Sequence, residues 1–211
     1  MGKALLLFMM AAAPAFSQPF TFGAKLGVPA EQFLNTVESP TIGFSSYTNR
    51  YLVGPTAELR LPFGLGIEAD ALYRHYNFQS AGSISPAGST LTTKGSTGAW
   101  EFPLLAKYRL PLKLARPFVD AGVAWDTLQG FWQSVTVVSP VPILPPANLN
   151  QPTHNTTTGV VVGGGIDIKV PYVHVSPEVR YTHWGTQHFL SSTGGFSSNQ
   201  NQAEVMVGIT F

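Results

Sequence analysis

The residues best suited to covalent chemistry are His174–Val175–Ser176–Pro177–Glu178, where an imidazole, a hydroxyl and a carboxylate recur at every second position. A serine nucleophile needs a base beside it and an acid to orient that base, so the chemistry on offer is acyl transfer or ester hydrolysis. The spacing argues against it. Residues two apart in an extended chain share a face with Cα atoms about 6.5–7 Å apart, so contact between His174 and Ser176 is within reach but not favoured. The three side chains read more simply as hydrogen-bonding neighbours on one face of a strand. His75 and His183 point to the opposite, apolar face, and His154 and His188 stand too isolated for a metal site by spacing. Gly163-Gly164-Gly165 lacks the Lys-Ser/Thr that completes a phosphate loop and reads instead as room for bulky neighbours. The chain has no Cys, which excludes disulfides, thiol catalysis and Cys-ligated metals. No catalytic residue, cofactor site or metal site is assigned. The expectation is a non-enzymatic protein, with a lipid hydrolase as the enzymatic alternative.

The elements that position these groups are strands. Residues 202–211 read QAEVMVGITF, with Ala203, Val205, Val207, Ile209 and Phe211 on one parity and Glu204, Met206, Gly208 and Thr210 on the other. Such alternation marks a strand with two unlike faces. Seven further stretches alternate in the same way: 20–28, 51–61, 65–76, 100–110, 117–126, 158–168 and 173–184. Each is close to the ~9–11 residues that a tilted membrane-spanning strand requires. Pro55 and Pro177 on the apolar face, and Pro103 on the other, each remove a ladder donor, so bulges or weakened pairing are expected beside them.

The connections sort by length. Residues 62–64, 111–116 and 169–172 form short turns, and 29–50, 77–99, 127–157 and 185–201 form long loops rich in Ser, Thr, Asn, Gln, Gly and Pro. Short turns at one end and long loops at the other are the pattern of an outer-membrane barrel. The N-terminus, MGKALLLFMMAAAPAFS, has a basic residue, a short apolar run and small residues at Ala15 and Ser17. It reads as a secretory signal peptide over 1–17, leaving 18–211 as one barrel domain. No Cys follows the cleavage point, so a lipoprotein anchor is excluded. Charged residues make up only 11% of the chain, and the formal charge of +1 falls to zero once Lys3 is removed. A nucleic-acid partner would need a basic surplus, so none is expected. After the signal there is no apolar run of helical spanning length.

Charge then decides which face meets lipid. Lys25, Glu58, Arg60, Glu68, Asp70, Arg74, Glu101, Lys107, Arg109, Asp120, Asp126, Asp167, Glu178, Arg180 and Glu204 all lie on the parity opposite the apolar face. An Arg or Lys facing hydrocarbon at the midplane costs about 2–4 kcal/mol. Several misplaced would exceed the ~5–15 kcal/mol stability of a whole domain. These groups are therefore expected to point inward and to pair as a lumen ionic network. On the outward face, Tyr51, Tyr73, Trp100, Trp125 and Tyr181 fall at one rim and Phe20, Tyr108 and Phe211 at the other, with aliphatic residues between. Two aromatic girdles flanking an apolar band suit a lipid-embedded barrel.

Signal peptide, eight alternating strands, sorted loops and a terminal Phe together resemble the small OmpA/OmpX-like outer-membrane β-barrel family. The expected fold is thus an all-β, eight-stranded antiparallel up-and-down transmembrane barrel with a filled polar lumen, located in the bacterial outer membrane. The resemblance implies periplasmic chaperones and the barrel-assembly machinery as partners. It casts Val205, Val207, Ile209 and Phe211 as the assembly signal, with outer-membrane lipid around the barrel. The His-x-Ser pair also resembles outer-membrane lipid A deacylases, but it lies in the lumen near the short-turn end, away from outer-leaflet lipid. The expected role is structural or surface-interaction, adhesin-like, with an extracellular ligand held by the loops. The alternatives are a narrow passive pore, a lipid-A-modifying enzyme and a soluble periplasmic ligand-binding barrel.

Overall fold

An amphipathic strand cannot stand alone in hydrocarbon, because its backbone amides need partners, and only a closed sheet supplies them all. The computed structural model, which describes residues 19–30, 34–36, 42–84, 88–142, 154–188 and 196–211, shows that closure. The stretch read as a signal peptide lies outside the described residues. The strands are β1 (Phe20–Pro29), β2 (Leu34–Thr36), β3 (Ile42–Arg60), β4 (Leu65–Asp70), β5 (Leu72–Ile84), β6 (Ser89–Arg109), β7 (Ala115–Val138), β8 (Thr156–Lys169), β9 (His174–Trp184), β10 (Phe196–Ser198) and β11 (Asn201–Thr210). β2 and β10 pair with each other in a separate small sheet. The others form the barrel, with every ladder antiparallel and each strand beside its sequence neighbour. β1 closes the ring, pairing with β3 from Phe20↔Leu59 to Gly27↔Leu52 and with β11 from Gly23↔Thr210 to Pro29↔Glu204. β4 and β5 continue one another, so the wall has eight staves. Among the described residues there is no α-helix; the one helical turn is 3-10, at Pro62–Gly64.

The gap between β4 and β5 has a local cause. Ala71 stands opposite Pro55 and donates its N–H to the Pro55 carbonyl at 3.0 Å, but Pro55 has no N–H to return. On the other side, the β4–β6 ladder stops at Ala69↔Leu104 and the β5–β6 ladder resumes at Leu72↔Glu101, skipping the place opposite Pro103. Pro177 interrupts β8–β9 likewise, between Gly165↔Glu178 and Ile168↔Val175. Register shifts occur elsewhere, at Thr48/Leu52 and Ser96/Gly98.

The strands overrun the boundaries expected from hydrophobic alternation. β3 begins at Ile42, β5 runs to Ile84, β6 begins at Ser89 and β7 runs to Val138. Much of the expected loops 29–50, 77–99 and 127–157 is therefore ladder: Leu72↔Glu101 runs unbroken to Ile84↔Ser89. The reason is compositional. STLTTKGSTG has no apolar parity to read, yet its Thr-rich backbone pairs well once a neighbouring strand sets the register. The turns at the opposite end stay short, and Phe63 (φ 65°) and Gly64 (φ 81°) make the tightest of them.

Side chains are sorted inside out relative to a soluble protein. Val123 is 44% and Val207 41% exposed on the outer wall, whereas Glu68 is 3% and Arg180 0% exposed within.

Candidate functional site

The lumen is stacked in layers whose order follows from the order of residues along each strand. At the short-turn end, Asp167 of β8 gathers three basic side chains and an imidazole. Arg116 donates to it at 2.9 Å, His174 at 2.9 Å through Nδ1, the Arg109 Nε lies 3.3 Å away and the Arg60 Nη2 3.9 Å. Arg109 also grips both oxygens of Glu58. Arg60 Nη1 lies 3.4 Å from His174 Nε2, and Arg116 Nη2 3.3 Å from its Nδ1.

One turn of the pleat higher lies the central layer. Lys25 pairs with Glu68, with Asp70 at 3.2 Å and with Glu178 at 3.0 Å. Arg180 reaches Glu178 at 2.7 Å, Asp70 at 3.0 Å and Glu68 at 3.3 Å. Lys107 pairs with Glu68 and stands 4.2 Å above the Phe118 ring, a cation–π contact. Asp120 is buried in the same layer with no hydrogen-bond partner on either oxygen.

The third layer is apolar. Leu52, Leu72 and Met206 cluster on one side of the lumen, and Leu105, Ala124, Val161 and Trp184 on the other. Leu72 falls between Asp70 and Arg74 in the chain, and Leu105 between Lys107 and Glu101, so this belt separates two ionic layers. Met206 shares the polar parity of its strand in the sequence, but the inward-facing Leu52, Leu72 and Leu105 were not anticipated in a lumen expected to be polar. In the fourth layer Arg74 pairs with Glu101, with Glu204 at 2.6 Å and with Gln202 at 2.9 Å. Asp126 lies in the same layer, bound from above by His188 at 3.1 Å.

All fifteen charged side chains singled out from the sequence therefore face the lumen; fourteen are buried, and Arg60 is half-buried at the short-turn rim. Arg116 and the His188–His154 pair were missed. Arg116 lies in what reads as a turn, but β7 begins at Ala115 and carries it inward. His188 and His154 look isolated in sequence, yet the His188 carbonyl and ring nitrogen both meet the His154 backbone. No cluster of metal-binding type occurs among the described residues. His174, Ser176 and Glu178 do not form a relay: His174 serves Asp167 and Arg60, while Glu178 serves Lys25 and Arg180.

On the outer wall Tyr51, Trp125, Tyr181, Phe20, Tyr108 and Phe211 are exposed, and Tyr73 and Trp100 are half-buried against each other with ring centroids 5.3 Å apart. Phe22, Phe63, Phe102 and Tyr172 add to this aromatic surface.

The sequence matches the outer membrane protein beta-barrel domain over residues 4–211. The chain belongs to that family. OprG from Pseudomonas aeruginosa is similar in fold, with a TM-score of 0.56 at 12% identity over 90% of this chain and 93% of that one. The N-terminal β-barrel domain of Pseudomonas aeruginosa OprF gives 0.42 at 14% identity, covering 92% and 98%, and Ail of Yersinia pestis 0.41 at 8%, covering 91% and 99%. No curated protein matches the sequence. In outer-membrane barrels an exposed aliphatic band of this kind faces lipid and the short turns face the periplasm. The long extensions of β3, β5, β6 and β7 stand at the end opposite the short turns.

Proposed function

We propose that this outer-membrane barrel is a non-enzymatic surface protein that captures an extended polypeptide by adding it as a strand to β7. One observation carries the reading. β6 and β7 stay paired from Gly98↔Gln129 to Thr90↔Val138, whereas the β7–β8 ladder ends at Thr127↔Thr156 and a last bond from Leu128 N–H to the Asn155 carbonyl. Beyond Leu128 no strand among the described residues pairs with the outer side of β7. A free edge is a row of unsatisfied donors and acceptors, and extended peptides bind such edges by strand addition. Residues 129–138, QGFWQSVTVV, contain no charge and no proline to discourage a visitor. Pro142, Pro145, Pro146 and Pro152 follow in the sequence, each lacking an amide donor.

Leu128 N–H points to β8, and the extra residue at the Ser96/Gly98 shift inverts the parity above it. Gln133, Val135 and Val137 thus present their amides to the open side. Val135→Pro removes one edge donor while sparing the ladder to β6. The probe is a fluorescent peptide copying residues 129–138. It should bind the barrel in detergent micelles, and Val135→Pro should weaken binding about tenfold, the worth of one or two hydrogen bonds. Equal binding by both proteins, or none by the native one, removes the reading.

The rest of the proposal concerns maturation and the lumen. Cleavage after Ser17 leaves Gln18 as the N-terminus, which N-terminal sequencing of the membrane-extracted protein would show or refute. Periplasmic chaperones and the assembly machinery would read Val205, Val207, Ile209 and Phe211. The lumen network serves as a structural plug rather than a reaction centre, because its charges, Asp120 apart, engage one another.

A further inference from the structure

At the extracellular end of the barrel the chain leaves β9 as a short strap, residues 184–188, stitched to its neighbours on both sides. Gly185 N–H donates to the Thr158 carbonyl at 2.8 Å, and the Thr157 and Thr186 hydroxyls meet at 2.7 Å. Trp184 N–H donates to the Gln200 carbonyl at 2.8 Å, and His188 N–H to the Ser198 hydroxyl at 2.8 Å. These bonds are neutral. Trp184 roots the strap in the apolar belt, and its polar link to the barrel interior is the His188 ring, which is 2% exposed. Its Nδ1 lies 2.7 Å from the His154 carbonyl oxygen and its Nε2 lies 3.1 Å from the Asp126 carboxylate.

A carbonyl can only accept, so Nδ1 must carry a proton. An ionised carboxylate can only accept as well, so the Nε2–Asp126 line needs a second. A neutral histidine facing an ionised Asp126 cannot make both bonds. We propose that His188 is a proton-operated latch: with its second proton in place it ties the strap to Asp126, and on losing that proton it lets go of Asp126 and loosens the strap's hold on the barrel interior.

The surroundings fix the direction. Burial of the ring opposes its charge, but the hydrogen bond and charge of Asp126, with the His154 carbonyl, outweigh that and hold its pKa above the ordinary value. Arg74 of β5 opposes the charge from below, while it is itself flanked by Tyr76 of the same strand, Glu101 of β6 and Glu204 of β11. A group whose folded pKa is raised stabilises its state fully below the unfolded value of about 6.5 and loses that contribution as pH rises through the folded one. The latch is therefore closed in acid and opens toward alkali.

The chain has no Cys, so Gln187→Cys gives a unique attachment point for a spin label on the strap. In micelles, with ¹⁵N NMR following the His188 ring, the imidazole should titrate above pH ~6.5, and the label should pass from immobile to mobile across the same midpoint. Asp126→Asn can hydrogen-bond a neutral ring through its amide. In that variant the His188 midpoint should fall by about one unit or more, and the label should no longer respond between about pH 6 and pH 9. Heat-modifiable gel mobility confirms that each variant has formed its barrel. A His188 midpoint at or below the ordinary value, a label indifferent to pH in the native background, or an unchanged transition in Asp126→Asn overturns the latch.

Discussion

Charge arithmetic at single residues shows where the lumen is strained. In the central layer Lys25, Lys107 and Arg180 face Glu68, Asp70 and Glu178, three against three, and Asp120 is the fourth carboxylate. It is 4% exposed and its oxygens find no donor. A buried charge without a partner is destabilising, so Asp120→Asn should raise the urea midpoint, by about 1–3 kcal/mol in stability. Lys25→Met should do the reverse and lower stability by about 3–5 kcal/mol, because it leaves Arg180 and Lys107 alone to balance four buried carboxylates around an apolar end. A lowered midpoint for Asp120→Asn would mean that the carboxylate has a role that the hydrogen bonds do not reveal. Parity along a strand was enough to place Asp120 inside. It could not say that Asp120 would be unpaired, since that depends on which side chains from non-adjacent strands reach across the lumen.

Elements were legible where two faces differ and illegible where they do not. The terminal strand, with Val205, Val207 and Ile209 against Glu204, Met206 and Thr210, announces its register. The upper half of β6 does not, because Ser, Thr and Gly occupy both parities, and its length follows from pairing with β5 and β7 instead. The three prolines were readable as missing donors, and two of them account for the gap at Ala71. Glycines add a constraint that appears only once neighbouring strands are placed. A Cβ on Gly165 would land on the Pro177 carbonyl oxygen, and the Phe118 ring edge would lie 2.8 Å from it. Gly208 has only ordinary contacts, with the Lys25 Cγ at 3.6 Å. Gly165→Ala should therefore abolish the heat-modifiable folded band or lower its melting by about 2 kcal/mol or more, whereas Gly208→Ala should change it by less than about 1 kcal/mol. Similar behaviour of the two variants would mean that β8 and β9 are not held as close beside Pro177 as the ladder implies.

For the whole molecule, the question is whether stacked layers leave a path for ions. Eight staves enclose an interior only wide enough for side chains. Here that interior holds an ionic layer around Asp167, a second around Glu68 and Arg180, an apolar belt of Leu72, Met206 and Leu105, and a third ionic layer around Arg74. An ion in transit would have to displace paired charges and then lose its water in the belt, and these obstacles act in series. Removing one leaves the others. Purified barrel in planar bilayers with concentrated KCl should accordingly show no discrete steps above leak. Leu72→Ala combined with Leu105→Ala should remain silent too, although both truncate the belt, because Lys25, Glu68 and Arg180 still fill the section below it. Breaking the central layer alone, with Glu68→Gln, should also stay closed, since the belt is intact. Steps in the native protein would restore the narrow-pore alternative and remove the plugged lumen. Steps only in the belt variant would show that the paired charges yield to a passing ion and that the apolar section alone had kept the barrel shut.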